Sequence, residues 1–264
     1  MTIQGKLQKM HTEYNNPIRY YLNLDNRFID INQLIGKRLK FDHLRNQCMS
    51  CGLDKPIFRM GFCHTCFYTV PQASPSIINP ELSQAHLGKA DRDLEWEITF
   101  QMQPHIVYLA LSGGLKVGVT RKTQIPYRWI DQGASFAVVF AETQNRYEAG
   151  MIEVLLKENL PDKTNWQRML TNQNPDIDLL VIKHESRLNL NQNQSAMYTN
   201  KDEIWEFHYP IHSYPVKIKS ISLAKQTSFE GKLQGIRGQY LYFENGLVFN
   251  IRNHEGYVVN LTIS

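Results

Sequence analysis

The stretch that decides the fold runs from residue 106 to residue 120 and has the sequence IVYLALSGGLKVGVT. Two β-prone runs lie on either side of Ser-Gly-Gly, which predicts a β-hairpin. A three-residue loop sets Tyr108 directly opposite Gly118, with Lys116 diagonal to the tyrosine. The alternate apolar side chains then share one face, which we expect in the core, because a one-residue slip would mix them with Lys116 and Gly118. On the other face, the absent side chain at Gly118 leaves open space beside the phenol, where a ligand or backbone could approach.

The region around this hairpin, residues 104–185, follows the order strand, strand, helix, strand, helix, helix, strand. This order predicts a mixed α/β domain of independent size. Its first helix is expected at 126–132, where Pro126 suits the first turn, and the next strand at 135–141.

A longer helix is expected from about 146 to 160, because apolar residues recur there at helical spacing. Glu153 lies at the edge of this apolar stripe. Since helical side chains lean toward the N-terminus, its carboxylate is expected to cover Ala149 and Gly150, which are too small to crowd it. The alternative is an exposed Glu153 paired with Lys157, worth about 0.2–0.5 kcal/mol.

Positive charge is concentrated next to the hairpin. Lys116, Arg121, Lys122 and Arg128 follow one another with no acidic residue before Asp131. A phosphate is the natural partner of such a cluster, since the planar fork of arginine can hold two oxygens. Solvated surface residues remain the alternative on charge alone.

All four cysteines form two CxxC pairs, Cys48 with Cys51 and Cys63 with Cys66. Two such knuckles can close a tetrahedral thiolate shell around Zn²⁺, and neighbouring glycines supply the permissive backbone of the turns. A four-thiolate shell has no open position, so we predict a structural zinc site. His64 could replace one ligand, but the complete pairing favours Cys66. A redox CxxC and four unrelated buried cysteines are the alternatives.

Composition describes an ordinary globular chain of 264 residues, 42% hydrophobic, with a net charge of +4 and a pI near 8.8. This length allows about two domains, and the charge permits an anionic partner without requiring one. Cysteines confined to one window exclude a disulfide-laced secreted scaffold. The N-terminus has no apolar signal region, and no apolar run approaches the ~20 residues of a membrane span, so we predict a cytoplasmic protein with no membrane partner.

The remaining segments are assigned from their composition. We predict an N-terminal β segment at 1–47, a zinc-knuckle module at 48–73, an acidic linker at 74–103, the α/β domain at 104–186, a polar loop at 187–200 and a C-terminal β module at 201–264. A four-residue echo, GKLQ at 5–8 and at 231–234, leaves open the alternative that both terminal segments contribute to one β module.

The dipeptide Asn245-Gly246 predicts a type I′ hairpin near the C-terminus, with Glu244 opposite Leu247. This register puts four apolar or aromatic side chains on one face: Tyr240, Tyr242, Phe249 and Ile251. We favour core packing for that face. A base-stacking platform beside Arg237 and Arg252 is the alternative, which makes these two arginines candidate nucleic-acid contacts.

The segment from about 104 to 170 resembles the GIY-YIG nuclease superfamily. The resemblance is carried by Val107-Tyr108-Leu109, by the run 116–120, by Arg128 and by the run 149–157. It implies a small αβ sandwich built on a hairpin. Carried over, Tyr108 matches the first-motif tyrosine, Gly118 the second-motif glycine, Arg128 the helix arginine and Glu153 the metal-binding glutamate, with Asn165 a weaker match to a late polar residue. Lys116 stands where the second motif has tyrosine.

The whole chain is also similar to an uncharacterised bacterial protein family that has the cysteine knuckles. The matching segments include 128–134, 162–166 and 235–240. This similarity implies no function.

Together these features predict an α+β protein: a GIY-YIG-like sandwich with an N-terminal four-Cys zinc module and flanking all-β segments. The resemblance implies a phosphodiesterase that uses Mg²⁺ or Mn²⁺ on DNA or RNA, with Glu153 holding the cation, Tyr108 positioning or deprotonating the nucleophile and Arg128 neutralising charge. Lys116 would substitute electrostatically for the missing tyrosine, and Arg121 and Lys122 would contact nucleic acid. The alternative is a non-catalytic protein that binds structured RNA or the ribosome through the same surface.

Overall fold

A computed structural model describes residues 1–158, residue 160 and residues 165–264. The chain forms two compact units. Unit 1 contains residues 1–68 and 207–264, and unit 2 contains residues 69–206. Both hold β-sheets, and most of the helices lie in unit 2, so the protein is a mixed α+β protein with large sheets, as its sequence predicts.

The described residues form strands with these bounds: β1 Thr2–Glu13, β2 Arg19–Leu24, β3 Arg27–Asp30, β4 Arg38–Asn46, β5 His105–Leu111, β6 Leu115–Arg121, β7 Phe136–Thr143, β8 Ile204–Glu206, β9 Lys219–Ile221, β10 Ser228–Arg237, β11 Tyr240–Phe243, β12 Leu247–Asn250 and β13 Tyr257–Ile263.

The helices of the same residues are α1 His64–Thr69, α2 Pro75–Ile78, α3 Leu94–Gln101, α4 Tyr127–Asp131, α5 Arg146–Lys157, α6 Trp166–Leu170, α7 Leu179–Arg187 and α8 Gln192–Ser195. Within the described part of the chain, none of these helices has the length and apolar character needed to cross a membrane.

Unit 1 is built on one sheet with the strand order β3-β2-β1-β13-β4-β10-β11-β12-β9. The last strand of the chain, β13, lies between β1 and β4 and pairs antiparallel with both. The two terminal segments, which the sequence divides into separate modules, therefore share one sheet. A sequence pattern does not show which distant strand pairs with a given strand, because tertiary packing decides the pairing of residues so far apart.

The C-terminal hairpin has a different register from the one its sequence predicts. Tyr240 pairs with Asn250 and Tyr242 with Val248, so the loop contains three residues, Glu244–Gly246, instead of two. Asn245 and Gly246 do adopt positive φ, at 61° and 69°, but Glu244 joins them in a 3-10 turn. The prediction that Tyr240, Tyr242, Phe249 and Ile251 share one face was therefore wrong, because the strand pairing is shifted by one residue. The aromatic side chains concerned are nevertheless largely buried, which agrees with core packing.

Unit 2 contains a sheet with the strand order β6-β5-β7-β8. The hairpin β5–β6 has the predicted three-residue loop, and Tyr108 pairs with Gly118. One face of this hairpin packs against α5 in a core that includes Val107, Leu109, Val117, Ile152 and Leu156. The local hairpin prediction is therefore confirmed.

Helix α5 begins after Asn145, whose side chain accepts a hydrogen bond from the backbone of Glu148. The helix ends at Lys157, before the predicted end at 160. Residue 159, within the predicted helix, and residues 162–164 of the segment 162–166 lie outside the described residues. The last strand predicted before 185 is instead helix α7, because Asp178 caps its first turn and its buried residues recur at helical spacing.

The segment predicted as a linker, 74–103, contains α2, α3 and a 3-10 turn at Pro80–Leu82 between them. This turn packs against α5 at Gly150, where an added Cβ would lie 2.5 Å from the carbonyl carbon of Pro80. Only glycine allows so close an approach of two backbones. The segment is thus a packed part of unit 2.

Candidate functional site

The four cysteines of unit 1 form one cluster. The Sγ atoms of Cys48, Cys51, Cys63 and Cys66 all lie within 4.8 Å of one another. Among the described residues this is the only group of three or more cysteine, histidine or acidic side chains close enough to share an ion. The predicted pairing is confirmed, and the four thiols could hold a metal such as zinc.

The backbone around the cluster fits a cation with thiolate ligands. The N–H of Cys63 donates a hydrogen bond to Sγ of Cys48 at 3.3 Å. Although burial acts to raise it, such N–H donors lower the pKa of Cys48 to about 6, whereas burial raises the pKa of Cys66 to about 11. Gly52 and Gly61 adopt φ values of 67° and 77°, as turns between ligands require.

His64 stands outside this cluster. It is exposed at the start of α1, and its ring packs against Phe58 and Tyr68 at centroid distances of 5.1 and 4.9 Å. The choice of Cys66 over His64 as the fourth ligand agrees with this placement.

In unit 2, the ring of Tyr108 is completely buried on β5 and lies over Gly118 of β6. A Cβ added to Gly118 would come within 2.5 Å of the phenol oxygen. The ring also contacts Trp129 of α4 in an edge-on arrangement, with centroids 5.8 Å apart. The expectation of open space for a ligand beside Gly118 was therefore wrong, because the phenol itself fills that space.

Three of the four predicted catalytic side chains meet at the amide of Gln132, just after α4. With its oxygen turned toward the cations, the amide accepts from Nζ of Lys116 at 3.2 Å and from Nη2 of Arg128 at 3.3 Å, while its nitrogen donates to the phenol oxygen of Tyr108 at 2.7 Å. We assign this orientation because it satisfies every partner. Gln132 lies in the segment 128–134 that the family similarity includes, but that similarity gave it no role, because its role depends on where α4 places it.

The phenol of Tyr108 is held in its neutral form. Burial raises the pKa of Tyr108 above its ordinary value, and Glu153 acts in the same direction. The charge of Arg128 and hydrogen bonds to Arg128 and Gln132 oppose this shift without cancelling it. Tyr108 is thus suited to donating or accepting a hydrogen bond and poorly suited to acting as a base.

Glu153 of α5 is buried, with only 6% of its surface exposed. Its Oε1 lies 3.4 Å from Nζ of Lys157, whereas Oε2 is buried and has no hydrogen-bond partner among the described residues. Burial raises the pKa of Glu153, and the charges of Lys157 and Arg146 oppose the rise. The carboxylate of Glu153 is thus buried and pairs with Lys157 through one oxygen. Its other oxygen has no hydrogen bond within the described part of the chain.

The four arginines and lysines predicted to contact nucleic acid are placed very differently. Lys122 is exposed and donates to Glu142 at 2.5 Å, and the half-buried guanidinium of Arg121 lies 4.4 Å from the ring centroid of Phe100. Arg252 of unit 1 is exposed, at the 3-10 turn Arg252–His254.

Arg237 is completely buried in unit 1, with its guanidinium 4.9 Å from the ring centroid of Tyr209. A side chain enclosed in this way does not present its charge to a phosphate at the surface. The assignment of Arg237 as a nucleic-acid contact is corrected accordingly: its charge is stacked among aromatic rings inside the fold.

A family model described as a protein of unknown function (DUF2797) matches residues 36–259, most of the chain. No curated protein and no solved structure matches the chain.

Proposed function

We propose that unit 2 of this chain, which belongs to the DUF2797 family of unknown function, hydrolyses phosphodiester bonds of nucleic acid with the help of a divalent cation. The observation that carries the proposal is the convergence of Tyr108, Lys116 and Arg128 on Gln132, with Glu153 near enough to raise the pKa of Tyr108. The pairing of Tyr108 with Gly118 and the packing of α5 on the hairpin support a GIY-YIG-like fold for residues 104–170.

Lys116 and Arg128 supply the charge that a phosphate requires. Both donate a hydrogen bond to the neutral amide oxygen of Gln132. A phosphate oxygen could take the place of this acceptor, and its negative charge would attract the two cations more strongly. The guanidinium can also hold two phosphate oxygens at once, which fixes the orientation of the scissile group. Lys116 thus contributes positive charge at the position of the second-motif tyrosine.

Tyr108 acts as a positioning group for the attacking water. Its raised pKa keeps the hydroxyl protonated, so it orients a nucleophile by hydrogen bonding and does not remove a proton. Because the ring is completely buried and Gln132 bonds to its oxygen, the Gln132 side chain must turn away before substrate reaches the hydroxyl.

Glu153 is the residue that fits the divalent cation. Its buried Oε2 has no hydrogen-bond partner among the described residues, and a carboxylate oxygen is the kind of ligand that Mg²⁺ and Mn²⁺ prefer. A cation bound there would polarise the phosphoryl oxygen and stabilise the leaving oxygen.

The second candidate is a binding protein that retains this surface without cleavage. The complete burial of Tyr108 and the lysine at position 116 favour it, because neither residue then serves a nucleophile directly. Structured RNA or the ribosome would be the partner, and the thiol cluster and sheet of unit 1 would add contact area.

We assign zinc to the four thiols as a structural ion. A full shell of four thiolates leaves no position for substrate. Such a site needs reduced cysteines, which fits the reducing conditions of the cytoplasm.

The test uses the full chain with labelled DNA and RNA, single- and double-stranded, in Mg²⁺, Mn²⁺ or a chelator. Glu153→Gln removes the charge without changing size, and Glu158→Gln makes the same change at an exposed residue just beyond α5. We expect metal-dependent cleavage that falls by about 100-fold or more in Glu153→Gln and is kept in Glu158→Gln.

Cleavage that is undiminished in Glu153→Gln contradicts the role of that carboxylate. Binding that weakens with salt, combined with no cleavage of any substrate, contradicts hydrolysis and supports the second candidate.

A further inference from the structure

A second carboxylate faces the same contact as Glu153. Glu81 lies in the 3-10 turn Pro80–Leu82, which packs against α5 at Gly150. Glu153 is three residues beyond Gly150, and residues three apart lie on one helix face. The backbone approach at Gly150 therefore brings Glu81 and Glu153 to the same side of α5.

Each of these two carboxylates has an unsatisfied oxygen. Oε2 of Glu81 and Oε2 of Glu153 are both buried and have no hydrogen-bond partner among the described residues. A buried polar atom without a partner costs about 1–3 kcal/mol, and more when it is charged. Two such oxygens at one contact could be satisfied together by a ligand that both share.

The neighbouring cations donate no hydrogen bond to either Oε2 atom within the described part of the chain. Lys157 lies nearest to Oε1 of Glu153, at 3.4 Å. The guanidinium of Arg146 donates to the backbone carbonyls of Ser76 and Ile77, at 2.9 and 2.7 Å. Burial is the main cause of the raised pKa of Glu153, and the charge of Glu81 acts in the same direction, so the two carboxylates are close enough to repel each other.

We propose that Glu81 and Glu153 together bind one divalent cation of the oxygen-preferring kind, Mg²⁺ or Mn²⁺. Glu81 is then a ligand supplied by the segment that precedes the hairpin, outside the region of the GIY-YIG resemblance. This inference deepens the proposed function and rests on it for the role of the cation. Two carboxylates suffice as protein ligands, because Mg²⁺ keeps several waters and takes its other ligands from substrate phosphates.

The experiment measures binding of Mn²⁺ to the zinc-loaded full chain by electron paramagnetic resonance of the free ion. We expect one bound Mn²⁺ in the unaltered chain. Glu81→Gln and Glu153→Gln should each weaken binding by at least tenfold, while Glu158→Gln leaves it unchanged. Thermal melts with and without Mn²⁺ provide a second measurement, since an ion that binds only the folded state raises the melting temperature.

Paramagnetic broadening in the unaltered chain keeps the test independent of any folding defect in the variants. Bound Mn²⁺ should broaden the amide signals of Leu82 and Val154, which adjoin the two ligands. Broadening at Val154 without broadening at Leu82, or wild-type affinity in Glu81→Gln, overturns the inference.

Cleavage assays separate this inference from the proposed function. Cleavage lost in Glu153→Gln and kept in Glu81→Gln overturns the shared site and leaves the phosphodiesterase standing. Mn²⁺ binding that depends on both glutamates, in a chain that cleaves no nucleic acid, supports the shared site and overturns the phosphodiesterase.

Discussion

The phenol of Tyr108 occupies the space that a side chain at Gly118 would need. The two residues are direct cross-strand partners, and a Cβ on Gly118 would lie 2.5 Å from the phenol oxygen and 2.6 Å from the ring carbon that bears it. A tyrosine can be completely buried on this strand only because its partner has no side chain.

The first prediction concerns this contact. Gly118→Ala forces the buried ring to shift, so we expect a loss of about 1–3 kcal/mol in the free energy of unfolding, measured by urea denaturation. Gly114→Ala is the matched control, because a Cβ there meets nothing within 4 Å. Equal stability of the two variants would show that the contact is not close-packed.

The second prediction concerns Gln132. Gln132→Leu leaves the buried hydroxyl of Tyr108 without its amide partner, and a lost partner of a buried polar group costs about 1–3 kcal/mol of stability. Combining it with Tyr108→Phe removes both partners, so a double-mutant cycle should give a coupling of about 0.5–3 kcal/mol. Additive effects of the two changes would contradict the bond.

The third prediction concerns the thiol cluster. Cys66→Ser removes one ligand and should lower the zinc content and the stability of unit 1, measured by elemental analysis and hydrogen exchange. His64→Asn alters the neighbouring residue, which lies outside the cluster, and should leave the zinc content at one ion per chain. Full zinc content in Cys66→Ser would contradict the four-thiol site.

The fourth prediction is a pH dependence caused by His105. This histidine is completely buried on β5, and burial, together with the charges of Arg146 and Arg121, lowers its pKa from 6.5 to about 4. Below pH 6.5 the unfolded chain binds a proton that the folded chain refuses, so stability falls as the pH drops from 6.5 to about 4. The loss is about 3 kcal/mol at most, at 1.36 kcal/mol for each pKa unit.

The variant His105→Gln isolates this contribution. Urea denaturation between pH 7 and 4 should show a smaller loss of stability in the variant, because glutamine takes up no proton. Identical pH profiles in the two chains would contradict a neutral buried His105.

The fifth prediction tests the phosphate contact. Arg128→Ala should weaken binding of nucleic acid and reduce by about one the slope of log affinity against log salt concentration. Arg187→Ala removes an equal charge from α7, where the guanidinium lies 4.9 Å from the ring centroid of Tyr198, and should change the slope less. Equal slopes in Arg128→Ala and the unaltered chain would exclude a phosphate at that arginine.

The sequence was sufficient where a few neighbouring residues set the geometry. The three-residue turn fixed the register of the hairpin and so paired Tyr108 with Gly118. The two CxxC spacings likewise placed four thiols around one point. At Asn245-Gly246 the same kind of reasoning failed by one residue, because Glu244 also joined the turn.

Contacts between distant segments followed from the tertiary structure alone. In the tertiary structure β13 lies between β1 and β4, and Arg237 lies among aromatic rings. The turn that contains Glu81 packs against α5. The tertiary structure also brought Gln132 to the phenol of Tyr108. Backbone preferences act over a few residues, whereas the choice of a distant partner depends on which surfaces exclude water together and which buried polar atoms find a bond.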